Sequence, residues 1–310
     1  MAVSFASVEA AAVRIAPFVH RTPVMTSRTL DEWLDARVFL KCEHLQRVGA
    51  FKYRGATNAV QSLAPGTAAR GVAAHSSGNH AAALALAART RGIAAHIVVP
   101  RSASRSKLAA IEAYGANVVL CEPTLAAREA GVARVIAETG AVEIHPFDND
   151  DVIAGAGTAA LELCSEIDGL DVIVAPVGGG GLLSGTALAA HGVAGGLRVV
   201  GAEPLAADDA ARSLAVGRIV APNPPSTIAD GLLTGLSPRT FAVISAHVDS
   251  IVTVTEDEIV AAMHFVWSRT KQVIEPSAAV AVAAVRAADF SGARVGIIVS
   301  GGNVDLVRGP

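Results

Sequence analysis

Residues 171–185 read DVIVAPVGGGGLLSG, and the fold is read outward from them. Asp171 to Val177 is a short apolar run rich in β-branched residues, which predicts a strand buried on both faces. Gly178 to Gly181 follow at once, ahead of an Ala/Leu-rich helix. Glycine costs backbone entropy and offers packing no side chain. Four together therefore predict a backbone that approaches a ligand closely and turns several N–H groups on it from a helix N-terminus. A phosphate suits such a loop.

Two common phosphate loops do not fit. In the dinucleotide pattern Gly-x-Gly-x-x-Gly, the last glycine is replaced by Leu183 counting from Gly178, and by Ser184 counting from Gly179. A P-loop needs Gly-Lys-Ser/Thr, which is missing. One feature keeps an NAD-dependent oxidoreductase open as the alternative: Leu197 to Ala202 reads as the next strand, and Glu203 ends it where a ribose-binding acid would sit.

At 310 residues the chain can build one large or two modest domains. A hydrophobic content of 52% against 17% charged predicts that most of it is ordered. The net charge of −3 gives no reason to expect nucleic acid or an anionic membrane as partner, so a small soluble ligand is expected. Cys42, Cys121 and Cys164 form no Cys-x-x-Cys pair, which argues against a disulfide framework or a zinc site and fits a reducing cytoplasm. Glu9 and Arg14 interrupt any apolar signal core, so secretion is not expected. The uncharged run Val172 to Leu197 exceeds the length of a membrane span, but Pro176, His191 and several glycines divide it into strand, loop and helix.

Earlier in the chain, Val8 to Ile15 and Ser27 to Leu34 read as helices, Thr22 to Val24 as extended, Arg37 to Cys42 as a strand, Gly49 to Gly55 as a turn and Ala56 to Leu63 as a helix. From Gly71 the rhythm is regular. Strand-like segments at 71–74, 94–99, 116–121 and 141–147 alternate with helical Asn79 to Arg91, Ser102 to Tyr114 and Leu125 to Thr139, and Gly115 and Gly140 sit where C-caps belong. Beyond Asp148, a helix over 156–166 leads to the glycine loop. A Pro-rich loop (221–226), a strand at 251–254, helices over 257–271 and 277–288, and a buried strand at 295–299 follow. The expected architecture is α/β, two open parallel-sheet domains, with a small domain (71–147) inserted in a large one (1–70 and 148–310).

Ligands collect at the carboxyl ends of strands in such sheets. Four loops there are polar or glycine-rich beyond what packing needs: Gly49 to Gly55, Ser76 to His80, Gly178 to Gly181 and Ser300 to Asn303. Most lysines are simply solvated. Lys52, between Phe51 and Tyr53 and near a phosphate cup, would instead be partly desolvated, with a lowered pKa and an amine available for Schiff-base chemistry. An amine, small hydroxyls, an amide and a phosphate cradle suit pyridoxal phosphate (PLP) better than a dinucleotide.

Seven runs carry a resemblance in collinear order over nearly the whole chain: VGAFKYRGATNA (48–59), HSSGNH (75–80), IAGAGT (153–158), PVGGGG (176–181), TIADG (227–231), IEPSAA (274–279) and VSGGNVD (299–305). The chain resembles the fold-type II, tryptophan synthase beta-like PLP enzymes, in their serine/threonine dehydratase and serine racemase branch. The resemblance implies an ammonia-lyase that converts L-serine or L-threonine to a 2-oxo acid and ammonia, with racemase activity alongside and threo-3-hydroxyaspartate as an alternative substrate. A PLP-binding protein without turnover is the non-enzyme alternative.

It also implies roles by position. Lys52 would carry PLP and act as acid and base on one face of Cα. Phe51 would pack on the ring, Asn79 would bond the ring hydroxyl, Gly178, Gly179, Gly180 and Gly181 with the Leu182 amide would hold the phosphate, and Ser300 would meet the pyridine nitrogen. A neutral hydroxyl at that nitrogen favours elimination over transamination. Ser76, Ser77, Asn79 and His80 would bind the α-carboxylate at a helix N-terminus. Ser77 is either a helix cap or a second acid/base on the opposite face. Arg128 is either a surface arginine or the partner of a second substrate carboxylate, and Thr234 would line the pocket. Glu203, the Ala207 carbonyl and Asp209 resemble a divalent cation site, for which hard oxygen ligands suit magnesium or calcium. Glu275 receives no role. Ala50 and Ala156 depart from serine and glutamine in relatives, and Arg47, Val48 and Ala82 do not reproduce nucleotide contacts, so ATP activation is not expected. Neither is feedback control through an added domain. A homodimer is expected by analogy.

Overall fold

The β-branched runs form strands and the Ala-rich runs form helices, in the alternation the sequence predicts. The computed structural model describes residues 3–76, 78–103, 105–224 and 226–306. The chain opens with α1 (Phe5–Ile15), β1 (Val24–Met25), α2 (Arg28–Leu34), β2 (Arg37–Lys41), α3 (Lys52–Ser62) and α4 (Pro65–Ala68). The small-domain elements follow: β3 (Val72–His75), α5 (Asn79–Arg91), β4 (Ala95–Pro100), α6 (Arg105–Ala113), β5 (Asn117–Cys121), α7 (Leu125–Thr139) and β6 (Val142–Glu143). The rest is α8 (Asp150–Glu166), β7 (Val172–Pro176), α9 (Gly181–Val193), β8 (Arg198–Pro204), α10 (Asp209–Val216), α11 (Pro238–His247), β9 (Ser250–Val254), α12 (Glu256–Thr270), α13 (Pro276–Ala287) and β10 (Arg294–Ile298).

Two sheets result. The large one has the order β1-β2-β10-β7-β8-β9 and is parallel except for the antiparallel edge strand β1; the small one, β5-β4-β3-β6, is parallel throughout. Every residue of β7 is buried, as a strand covered on both faces requires. Helices α2, α12 and α13 bury Leu30, Met263 and Val280 against one face of the large sheet. Helices α1, α8, α9 and α11 bury Val8, Ile153, Leu183 and Ile244 against the other.

Three departures from the sequence reading have physical causes. α8 starts at Asp150 rather than near Ala156, because the Asn149 side chain caps it there, and Gly155 and Gly157 lie inside it as contact points. A Cβ on Gly155 would lie 2.7 Å from the Arg54 carbonyl of α3, and one on Gly157 would lie 2.6 Å from the Gly185 carbonyl of α9. The strand expected over 141–147 stops at Glu143, short of Pro146. α10 and α11, not expected as helices, flank the Pro-rich loop.

Candidate active site

β2, β10 and β7 are parallel neighbours, so their carboxyl ends share one edge of the sheet. The chain leaves those ends into the lysine turn, Ser300 and the glycine loop. Three of the four loops picked out from the sequence thus meet without any side chain having to reach far.

Lys52 is not within a turn but is the first residue of α3. The turn before it is unusual: Val48 has φ 59° and Gly49 has φ 71°. It is stitched to the loop after β10 by the Phe51 N–H donating to the Ser300 carbonyl (2.9 Å) and the Gly302 N–H donating to Gly49 (3.0 Å). Lys52 Nζ donates to the Pro146 carbonyl (2.9 Å) and lies 5.1 Å from the Phe51 ring centre. Burial pushes the Lys52 amine down to about 8, with the Glu275 carboxylate opposing part of that shift. Roughly a tenth of such amines are neutral at pH 7, against about one in several thousand for a free lysine.

Two residues on, Arg54 is fully buried and fixes α3. Its guanidinium donates to Glu43 at 2.7 and 2.9 Å and to Glu162 at 2.7 and 2.8 Å, and Lys41 Nζ reaches Glu162 at 2.7 Å. Glu43 and Lys41 are buried as completely. These four charges balance, as burial demands.

Gly180 takes φ 85° as N-cap of α9, whose first backbone bond runs from the Ser184 N–H to the Gly180 carbonyl (2.8 Å). The amides of Gly181, Leu182 and Leu183 precede that bond and have no partner within the helix, which makes them an anion cradle. The expectation that these glycines serve no packing purpose needs correction. A Cβ on Gly178 would lie 2.8 Å from Leu232, one on Gly179 would run into the Phe147 ring, and one on Gly180 would meet Leu236, Thr240 and Ile244. Ser300 is buried.

Across the cleft, Asn79 is the first residue of α5, and its Nδ2 donates to both Glu275 oxygens at 3.0 and 3.2 Å. Ser76 accepts from the Gly78 N–H (3.3 Å), and Ser77 lies outside the described residues. The His80 side chain does not face a carboxylate: its Nε2–H donates to the Ile144 carbonyl (2.8 Å). Burial and the Lys52 charge push the imidazole down to about 3, so it stays neutral. What α5 offers an anion is its first-turn amides, including the backbone N–H of His80. His145 is also held low, at about 4, by burial and by His75; its Nδ1 accepts the Asp148 N–H at 2.9 Å. Burial lowers His75 too, and Arg128 on α7 is near enough to add to the effect. Arg128 Nε is buried and has no hydrogen-bond partner among the described residues. Thr234 is exposed, two residues beyond the Leu232 backbone that abuts Gly178.

Glu203, at the end of β8, is buried, and its two oxygens accept the N–H groups of Ala210 (2.9 Å) and Ala211 (2.8 Å), capping α10. That use takes it away from a ribose. Burial pushes its carboxyl up to about 8. Asp209 Oδ2 is buried with no partner, and no trio of His, Cys, Asp or Glu suited to a metal is present, both among the described residues.

Sequence reasoning gave no role to Glu275, Asn303, Phe147 or Pro146, all of which touch this site. Only the IEPSAA and VSGGNVD runs hinted at the first two.

A desolvated lysine, a glycine-lined helix N-terminus and a serine hydroxyl on adjacent strand ends define a fold-type II PLP site. The chain belongs to the family described as pyridoxal-phosphate dependent enzyme, whose model matches residues 15–301. It is 48% identical to the beta-hydroxyaspartate dehydratase of Paracoccus denitrificans over 97% of this chain and 96% of that protein. It is 46% identical to the L-threo-3-hydroxyaspartate ammonia-lyase of Saccharomyces cerevisiae, over 95% and 91%. Among solved structures it is similar to the serine racemase of Dictyostelium discoideum, with TM-score 0.94 and 47% identity over 98% of this chain and 99% of that one. The threonine deaminase of T.th. is comparably similar, with TM-score 0.93 and 44% identity over 98% and 99%.

Proposed function

We propose that the protein is a PLP-dependent ammonia-lyase that converts L-serine and L-threonine to 2-oxo acids and ammonia. The observation that carries this is the Lys52 amine, lowered to about 8 at the strand edge that also holds the glycine cradle and the Ser300 hydroxyl. PLP, when bound, supplies the electron sink that acidifies the Cα proton.

The chain's residues do the rest. The amides of Gly178 to Leu182 would hold the phosphate, Phe51 would pack on the ring, Asn79 would bond its hydroxyl and Ser300 would meet its nitrogen. The α5 amides, with Ser76 and Ser77, hold the substrate α-carboxylate, and Thr234 borders the side-chain pocket. The Lys52 amine would take the Cα proton. Donation of the Ser77 hydroxyl proton to Cα from the opposite face, with Lys52 passing the proton it took to solvent and Ser77 regaining one from it, would give racemisation.

A second reading, 3-hydroxyaspartate as substrate, is favoured by Arg128, whose unpartnered Nε beside His75 suits a second carboxylate. Two relatives bear hydroxyaspartate in their names. Glu203, Asp209 and the Ala207 carbonyl would hold magnesium or calcium, consistent with the unpartnered Asp209 oxygen. We further propose that the small domain is 71–147, a span that includes the second sheet, and that the protein is a cytoplasmic homodimer. No helix among the described residues is long and apolar enough to cross a membrane.

The test is an absorption spectrum of the purified protein, then 2-oxo acid release from L-serine, L-threonine and L-threo-3-hydroxyaspartate, with D-serine followed in parallel. Visible absorption lost in Lys52→Ala, together with 2-oxo acid release, supports the proposal. A yellow protein that turns over none of these substrates leaves only a PLP carrier, and a colourless one overturns the cofactor.

A further inference from the structure

Asn303 faces solvent at the end of the loop after β10, yet its polar groups touch three distant segments. Its Nδ2 donates to the Val48 carbonyl (2.8 Å) and to Asn79 Oδ1 (2.8 Å), and its backbone N–H donates to Glu275 Oε2 (3.0 Å). Both amide hydrogens are used, one on the turn before Lys52 and one on the first residue of α5. Gly49 makes room for the group: a Cβ there would lie 2.6 Å from Asn303 Oδ1.

The Val48 contact matters because of its backbone. Among the described residues with positive φ, Val48 is the β-branched one, a side chain that strongly disfavours this region. A residue holds such a conformation only when its surroundings impose it. Asn303 bonds the carbonyl of that residue, four positions before the reactive amine.

We propose that Asn303 is a positioning residue that imposes the Val48 turn, so aiming Lys52, and that couples this turn to the Asn79 end of α5, where the substrate carboxylate binds. The inference rests on the amino-acid lyase reading of the site. Its two halves separate by mutation, because glycine adopts φ near 60° without a clamp.

The experiment compares holoenzyme variants with L-serine as substrate. Loss of the two hydrogen bonds in Asn303→Ala should lower kcat and raise KM, each by up to about tenfold. Adding Val48→Gly to Asn303→Ala should restore kcat, since the turn then forms unaided, while KM stays raised because the Asn79 link is still missing. A merely structural role would move both parameters together. Should Asn303→Ala fail to retain PLP, the double variant must regain it. An Asn303→Ala enzyme within about twofold of the parent in both parameters overturns the proposal, as does a double variant with no recovery. An active parent with an indifferent variant overturns this inference alone. A colourless, inactive parent overturns the lyase reading with it.

Discussion

Below pH 8 the folded protein must keep a charge on Lys52 in a place that disfavours it, and the cost can be worked out. Burial moves the amine from the 10.5 of a free lysine to about 8. At about 1.36 kcal/mol per pKa unit this is a penalty of about 3 kcal/mol, which the partial exposure of the side chain reduces to about 2 kcal/mol. Between pH 8 and 10.5 the unfolded chain holds a proton that the folded chain has released, so stability rises with pH across that window. The gain is complete above 10.5 and is lost as pH falls to about 8. Lys52→Met keeps the stem and removes the charge, at the loss of about 1 kcal/mol for the bond to Pro146. With both proteins free of cofactor, the variant should therefore be about 1 kcal/mol more stable than the parent at neutral pH and about 1 kcal/mol less stable above the window. Urea unfolding at both pH values, followed by the fluorescence of Trp33 and Trp267 and compared at equal m, reads the difference. A variant whose relative stability does not change with pH would show that the amine is not desolvated, and the argument for its reactivity would fall.

Other perturbations reach different parts of the site. Gly179→Ala drives a methyl into the Phe147 ring, and the PLP retained per chain after gel filtration should fall at least about tenfold. Glu43→Gln removes one charge from the buried set with Arg54, Lys41 and Glu162 and should cost about 3 kcal/mol, seen as a lower urea midpoint. Arg128→Gln should raise KM for L-threo-3-hydroxyaspartate about thirtyfold while leaving L-serine nearly unchanged; equal effects on both would remove the second-carboxylate role. Magnesium added to chelated protein should raise the melting temperature, and Asp209→Asn should abolish that rise.

The strands and helices were legible because each is a local pattern. α5 and α7 fall on the residues the periodicity indicates, and Gly140 caps α7 with φ 71°. The lysine, the glycine loop and Ser300 were legible because the sheet places strand ends together. The Asn79–Glu275–Asn303 network was not, since its members lie 196 and 224 residues apart and no local pattern links them. Nor does sequence show that the His80 side chain bonds the Ile144 carbonyl, which depends on how α5 seats over the small sheet. Glycines also misled: those at 178–181 read as serving a ligand alone, yet each is packed closely against a neighbour.

Those same contacts at 155 and 157 bear on what can move. α3 starts with Lys52, α9 starts in the glycine cradle, and α8 lies between them with backbone against backbone at Gly155 and again at Gly157. What a Cβ would meet at these crossings is backbone and, at Gly155, the Asn58 Cβ, none of which can change rotamer. The span between the amine and the cradle is accordingly a fixed gauge, set once by the fold. On the proposed reading, adjustment to substrates of different size would fall instead to the inserted domain, whose α5 carries Asn79 to the edge of that fixed frame.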